Sequence, residues 1–417
     1  MNQDHATASL VDIAIVGGGM VGASLALALK DTPLSVVLIE KTEEKASHHP
    51  SFDARVLALS NATRRVFETL GVWQNWGSQL SSVKKIHVSE QGGFGSTVID
   101  ANELGLEQLG FVLPAIQLGR GLTEALKSTP TQPLHGSTVC GMRVGEDRVT
   151  LDVQSPTGQE VVQARLVIAA DGADSLIRQA CQIGVLKHDY AQSAIIAHIK
   201  STHPQPSTAY ERFTAEGPIA VLPRPDGAVV IWVVPPTRAD QLLALNASEF
   251  LSQLQSAFGW RLGRWESLGQ RHRYELQLTV AERVVADRVV LMGNAAQSLH
   301  PIAGQGFNLG LRDAMMLAEL VANAKREDPN ADVGRADLLQ HYQQQRQNDR
   351  TRVVQFTDSL VRVFGLTLPG ARLLRSRALK LFDVSPFLKR QLAAIGSGGA
   401  EAPRLARGLS LLAEDKL

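Results

Sequence analysis

The stretch VDIAIVGGGMVGASLALALKDTPLSVVLIE, residues 11–40, leaves a chain few ways to fold. Val11–Val16 has the length and apolar content of a buried strand, and glycines follow at Gly17, Gly18, Gly19 and Gly22. The helical pattern SLALALK comes next, then SVVLIE as a second strand that ends at Glu40. Strand, glycine turn, helix and strand within about thirty residues is a βαβ unit. The Gly17-x-Gly19-x-x-Gly22 spacing lets the backbone turn tightly and approach a ligand without a Cβ in the way. Unpaired N–H groups at the helix start, around Val21, then favour a pyrophosphate. Glu40 stands about twenty residues further on, where a carboxylate accepts ribose hydroxyls. Nicotinamide and flavin dinucleotides both use such a unit, so it does not separate them.

Composition removes several alternatives. The chain has 417 residues, 44% hydrophobic and 20% charged, with formal net charge +1, enough for two domains or one large one. A near-neutral chain lacks the basic footprint of a nucleic-acid partner. Cys140 and Cys181 show no CxxC spacing, and no paired histidines stand at ligand intervals, so neither a disulfide framework nor a metal site is expected. The N-terminus has no basic n-region, and no apolar run reaches the roughly 18 residues of a membrane span. A cytoplasmic protein is expected, or one held peripherally on the inner face of the plasma membrane.

Further along, ATRRVFETLGVWQNW (62–76) and IQLGRGLTEALK (116–127) have helical spacing. VTLDVQ and EVVQARLVIAAD, separated by SPTGQ, read as a hairpin, and residues 185–280 are rich in strand patterns. RVVLMGN (288–294) is a buried strand; the glycine segment LMGNAAQSLHPIAGQGFNLG (291–310) and an amphipathic helix follow. The predicted organisation is a discontinuous dinucleotide-binding domain (1–76, 116–184 and 281–324) and a substrate domain (77–115 and 185–280). A helical region (337–395) and a flexible tail (396–417) complete it.

GGGMVG, ADGADSLIR and LMGNAAQSLHPIAGQGFNLGLRDA, in this order, resemble the three signatures of FAD-dependent aromatic hydroxylases of the para-hydroxybenzoate hydroxylase type. SFDARVLALS, ERFTAEGPIAVLP and LVRVFGLTLPGARLLRSRALKLF extend the resemblance to the ubiquinone-biosynthesis hydroxylases. The Gly-Asn-Ala-Ala-Gln variant is similar to members that hydroxylate 2-polyprenyl-6-methoxyphenol at C4. The resemblance implies an α/β fold: a Rossmann-like FAD-binding domain with an inserted, mainly antiparallel β-sheet substrate domain and a helical C-terminus. It also implies FAD as cofactor and NAD(P)H as transient reductant, because a second GxGxxG is absent. O2 would add at flavin C4a, and the resulting hydroperoxide would hydroxylate a polyprenyl phenol. Other ubiquinone-biosynthesis proteins are implied as partners. Two rivals remain: a flavin oxidoreductase that inserts no oxygen, and a non-catalytic flavin-bearing subunit.

The same resemblance assigns roles. Asp171 and Gly172 support the pyrophosphate region, with Arg178 as the anchor of their loop. Asn294 replaces the carboxylate that usually accepts from a ribityl hydroxyl, keeping an acceptor without the charge. Pro301 lies beside the flavin ring. Gly304, Gln305, Gly306 and Asn308 open a helix whose N–H groups stabilise negative charge on a reduced flavin. Arg55 and Arg120 contact FAD or nicotinamide, or Arg120 sits on a solvated helix face. His300 either titrates near the flavin or packs as a neutral ring, and Trp232 either walls the site or belongs to a strand core. No protonatable group is assumed at Gln297, and no side chain stands out as an acid or base.

Residues 346–390 contain ten Lys/Arg against three Asp, interleaved with leucine and phenylalanine. Such a stretch lies on an anionic bilayer, binds a partner, or packs on the FAD domain.

Overall fold

A computed structural model of the chain describes residues 10–43, 49, 52–93, 95–365, 377 and 402–412. Strand Leu10–Val16 pairs in parallel with Val36–Glu40 on one side and Gly158–Ala169 on the other. The sheet continues through Val289–Leu291 to Val285–Ala286 at one end and to Gln132–His135 at the other. Ile13, Ala14 and Ile15 are fully buried, as are Leu166, Val167 and Ile168. Parallel strands covered on both faces need such continuous apolar runs. Helix Met20–Ala28 supplies part of that cover, and Gly158, at φ +133°, turns the expected hairpin.

A second sheet runs in the order Gln297–Ser298, Trp265–Ala281, Val185–Ser201, Gly227–Val234, Pro218–Arg224, Thr208–Phe213, Lys85–Glu90 and Ser96–Asp100. All its pairings are antiparallel except that of Thr208–Phe213 with Lys85–Glu90. Helices Pro236–Ala244 and Ala247–Phe258 pack on it over a core that includes Ile195, Trp232 and Phe250. Trp232 is buried there, edge-on to Phe250, so it belongs to the strand core.

Two expectations change. The helix over 62–76 is two elements: α-helix Asn61–Thr69 ends before Gly71, at φ +76°, and a 3-10 segment Trp73–Gln79 follows. A left-handed glycine cannot continue a helix. The tail over 396–417 is packed across residues 402–412: Ala402 to Ala406 are buried, the Arg404 N–H donates to Glu319 (2.7 Å) and Arg65 Nε donates to the Ala406 carbonyl (2.7 Å). The rest of that tail, and the helical expectation over 366–395 apart from residue 377, lie outside the described residues.

The long helices Gln305–Glu327 and Ala336–Gly365 are joined by buried charge. Arg346 binds Asp313 and Asp349, each at 2.6 Å, and Arg312 binds Asp349 at 2.8 Å. Burial alone would raise the Asp349 pKa, but Arg312 and Arg346 hold it below the usual carboxylate range. Gln297 extends the cluster, donating to Asp313 (2.9 Å) and accepting from Arg350 (3.0 Å). Two of the counted cations, Arg346 and Arg350, therefore serve the interior. Arg346→Met should lower unfolding stability by about 3–5 kcal/mol, because it leaves buried carboxylates without their cation. Urea unfolding checks this, and a loss under about 1 kcal/mol would contradict the account.

Candidate active site

The glycine turn is built by close approach. A Cβ on Gly17 would lie 2.4 Å from the Ala170 carbonyl oxygen, and one on Gly22 would lie 2.0 Å from that of Gly17. Side chains are thus excluded where two strand ends and a helix start converge. Helix Met20–Ala28 begins at Gly19 with no side-chain cap, so its first N–H groups face outward for a ligand. Glu40 closes the turn, accepting from the N–H of Gly18 (2.5 Å) and of Thr42 (2.7 Å), with His49 at 3.4 Å. Burial would raise its pKa, but the hydrogen bonds from His49 and Thr42 prevail and hold it at about 2. An ionised carboxylate there retains lone pairs for ribose hydroxyls.

Asp171 Oδ2 accepts from the N–H of Leu176 (2.9 Å) and of Ile177 (3.3 Å), while its Oδ1 is buried with no hydrogen-bond partner among the described residues. Arg178 donates to the carbonyls of Ala173 (2.7 Å) and Ala295 (2.9 Å), tying this loop to the glycine segment. In that segment Gly293 adopts φ +56° against Val21, and Gly304 adopts φ +60° where a Cβ would stand 2.7 Å from that of Ala58. Helix Gln305–Glu327 also starts without a side-chain cap.

A cavity of about 1250 Å³ reaches from the start of helix Met20–Ala28 to the glycine segment, while Gly17, Gly18, Gly22, Glu40 and Asp171 stand outside its lining. Gly19, Val21, Gly172, Asn294, Pro301, Gly304, Gln305 and Gly306 line one side of it, and apolar residues of the second sheet line the other. Ligand sites for one small molecule span roughly 300–1,000 Å³, so there is room for a cofactor and a substrate ring. The glycine cradles, two uncapped helix starts and the orphaned Asp171 oxygen fit a dinucleotide whose far end reaches Pro301.

The expected residues divide. Arg55 lines the cavity, bound to Asp53 at 2.9 Å and set over the Tyr274 ring at 5.6 Å. Asn308 touches the cavity, but its amide is consumed internally: it accepts from Ser60 N and Thr63 Oγ1 and donates to the Ala58 and Gly304 carbonyls. It clamps the turn and has no amide hydrogen left for a ligand. Arg120 is exposed on helix Ala115–Leu126 and does not line the cavity, which matches the solvated reading. His300 lines the cavity as a packed ring whose Nδ1 accepts from Ile302 N (3.2 Å), and burial lowers its pKa to about 4. Ala220 and Leu222 of the GPIAVLP segment (217–223), expected as an apolar wall, line the cavity, whereas sequence reasoning missed Glu211, which lines it from strand Thr208–Phe213. Its alternation within ERFTAEGP was the only available signal.

One dinucleotide turn that opens into a large cavity roofed by a mainly antiparallel sheet is the architecture of the FAD-dependent aromatic monooxygenases. The family described as "FAD binding domain" matches residues 10–357, and the chain belongs to it. It is 33% identical to the ubiquinone hydroxylase UbiL of Rhodospirillum rubrum, covering 96% of this chain and 94% of that protein. It is also 33% identical to the 3-demethoxyubiquinol 3-hydroxylase of Escherichia coli, covering 91% and 96%. The fold matches p-nitrophenol 4-monooxygenase PnpA from Pseudomonas putida with TM-score 0.76 at 17% identity, over 92% of this chain and 97% of that one.

Glu40→Gln should lower stability at pH 6 by about 3 kcal/mol, from a carboxyl pKa of 4.5 shifted to about 2. A depressed pKa stabilises above the unfolded value and loses that contribution as pH falls. The gap between the two proteins should therefore shrink to roughly half by pH 3. A gap independent of pH in urea titrations would contradict this.

Proposed function

We propose that the protein hydroxylates the ring of a polyprenyl phenol in ubiquinone biosynthesis, at C4 of 2-polyprenyl-6-methoxyphenol, using FAD, O2 and NAD(P)H. The observation that carries this reading is the single cavity joining the cofactor turn to an apolar sheet face. The Gly293-Asn294-Ala295-Ala296-Gln297 variant supports C4. A second reading, hydroxylation of a demethoxyubiquinol at C3, is favoured by the likeness to the 3-demethoxyubiquinol 3-hydroxylase of Escherichia coli.

Gly17, Gly18, Gly19, Val21 and Gly22 would hold the pyrophosphate, Glu40 the adenosine ribose, and Asp171 with Gly172 the adjoining loop. Asn294 would accept from the ribityl chain, and Pro301 would lie beside the ring. Bound FAD supplies the two-electron chemistry that activates O2. The backbone N–H groups at Gln305 and Gly306, at the uncapped start of helix Gln305–Glu327, would stabilise the negative charge that gathers on reduction, while the Gly304 N–H is held by the Pro301 carbonyl at 2.9 Å. In the net reaction one oxygen atom is inserted into a ring C–H bond and the other leaves as water, with a hydride from NAD(P)H and one proton supplying the electrons and hydrogens. Ala220, Leu222 and Ile231 orient the substrate ring and exclude water.

Leu106 and Val363 line the cavity and are exposed, so it reaches the surface where a prenyl tail could leave. Among the described residues no helix is long and apolar enough to cross a membrane. Peripheral contact with the inner face of the plasma membrane, or with other ubiquinone-biosynthesis proteins, would deliver such a substrate to a cytoplasmic enzyme.

A strain lacking the protein should accumulate 2-polyprenyl-6-methoxyphenol by mass spectrometry; accumulation of a demethoxyubiquinol would select the second reading. Turnover under ¹⁸O₂ should place one label atom on the ring, and an unlabelled product would favour an oxidoreductase that inserts no oxygen. Asn294→Asp should keep FAD, whereas Asn294→Leu should weaken it by about 1–3 kcal/mol, the cost of an unmade buried hydrogen bond. Equal FAD affinity in the Leu variant would remove Asn294 from the ribityl contact.

A further inference from the structure

The roof of the cavity carries a row of side chains that crosses five strands in register. Val88 is paired with Glu211, Glu211 with Ala220, Ala220 with Ile231, and Ile231 with Ile196. All five line the cavity. Four are apolar and one is a carboxyl. Protein encloses Glu211, yet its side chain remains reachable from the cavity. It makes no side-chain hydrogen bond or ion pair among the described residues.

The other charged groups on this cavity are otherwise engaged. Arg64 is bound to Glu68 and faces Glu107, Arg55 is bound to Asp53, and Arg65 donates to the Ala406 carbonyl. Glu90 is buried two residues beyond Val88, on the strand beside Glu211, and Tyr210 is the adjoining residue on Glu211's own strand. His300 lies on the cofactor side, packed against the Ile302 N–H. Burial pushes the Glu211 carboxyl up to about 7, and no neighbouring charge contributes to that shift.

A half-buried carboxyl set in an apolar row with no protein partner is costly, and an apolar residue would fill this row better if stability alone mattered. A ligand bearing a hydroxyl would supply the missing donor. We propose that Glu211 is a catalytic residue that accepts the hydrogen bond of the substrate's phenol hydroxyl and takes its proton as the ring is oxygenated. The phenol O–H bond breaks and its proton goes to the carboxylate. The electron pair moves into the ring, whose carbon forms its new C–O bond as the O–O bond derived from O2 breaks. Loss of that carbon's hydrogen as a proton, with return of the carboxyl's proton to the phenol oxygen, restores the aromatic ring. The inference rests on the phenol-hydroxylase reading and adds the group that recognises and activates the phenol.

The test uses the FAD-loaded enzyme, a short-chain prenyl methoxyphenol and the same compound with its phenol O-methylated. Wild type should bind the phenol about 10–100-fold more tightly than the ether by calorimetry. Glu211→Leu should lose that preference while keeping its flavin absorbance and melting temperature. Glu211→Gln, which accepts a hydrogen bond but takes no proton here, should keep phenol affinity within about threefold and lose roughly 10²–10⁴-fold in kcat. In wild type, kcat/KM should rise with pH through a limb near 7, as the carboxyl ionises, and that limb should vanish in Glu211→Gln. Unchanged phenol preference in the Leu variant, or an unchanged kcat in the Gln variant, would overturn the inference and leave the hydroxylase reading intact. Wild type that neither binds nor hydroxylates the phenol would overturn both.

Discussion

The structure depends on how closely the backbone packs at the end of strand Leu10–Val16. Gly17 and Gly22 approach each other and the Ala170 carbonyl at distances that no side chain tolerates. From that contact follow the uncapped start of helix Met20–Ala28, the reach of Gly18 to Glu40, and the position of the Asp171 loop. The same helix carries Val21, against which Gly293 and Gly310 pack. Both helix starts that face the cavity are thus placed by one cluster of contacts in which added side chains would collide.

Charge placement divides the molecule in a way that composition does not reveal. With net charge +1 the chain looks unremarkable, yet the most deeply buried ion pair among the described residues, Arg346 with Asp313, lies behind the cofactor turn. Gln297, itself uncharged, joins that pair to the turn through hydrogen bonds to Asp313 and Arg350. An amide there satisfies Asp313 and Arg350 together, one as donor and one as acceptor. The surface of the cavity at Pro301 consequently holds no ion of its own, which suits a site that relies on backbone dipoles.

Much of this was legible in the sequence because the relevant signals are local. The βαβ unit, the SPTGQ hairpin and the positive-φ glycines announce themselves within a few residues of where they act. The parts that were not legible come from pairings between distant segments. Asn308 read as a ligand contact until its amide proved to be shared by Ser60, Thr63, Ala58 and Gly304, some 250 residues away in the case of Ala58. Arg346 and Arg350 read as part of a basic face until their acidic and amide partners were placed opposite them. Glu211 looked like an ordinary strand residue because only cross-strand register reveals that its paired partners, Val88 and Ala220, are apolar.

Gln297–Ser298 is at once part of the cofactor turn and the edge strand of the second sheet, paired with Thr279 and Val280. The floor and the roof of the reaction chamber therefore belong to one continuous hydrogen-bonded ladder. At that edge they are tied by backbone pairing between Gln297–Ser298 and Thr279–Val280. Side chains on the roof can be exchanged to suit a different aromatic ring without altering that tie to the cofactor turn. A family built on this scaffold can diversify its substrates by repainting a wall that stays anchored.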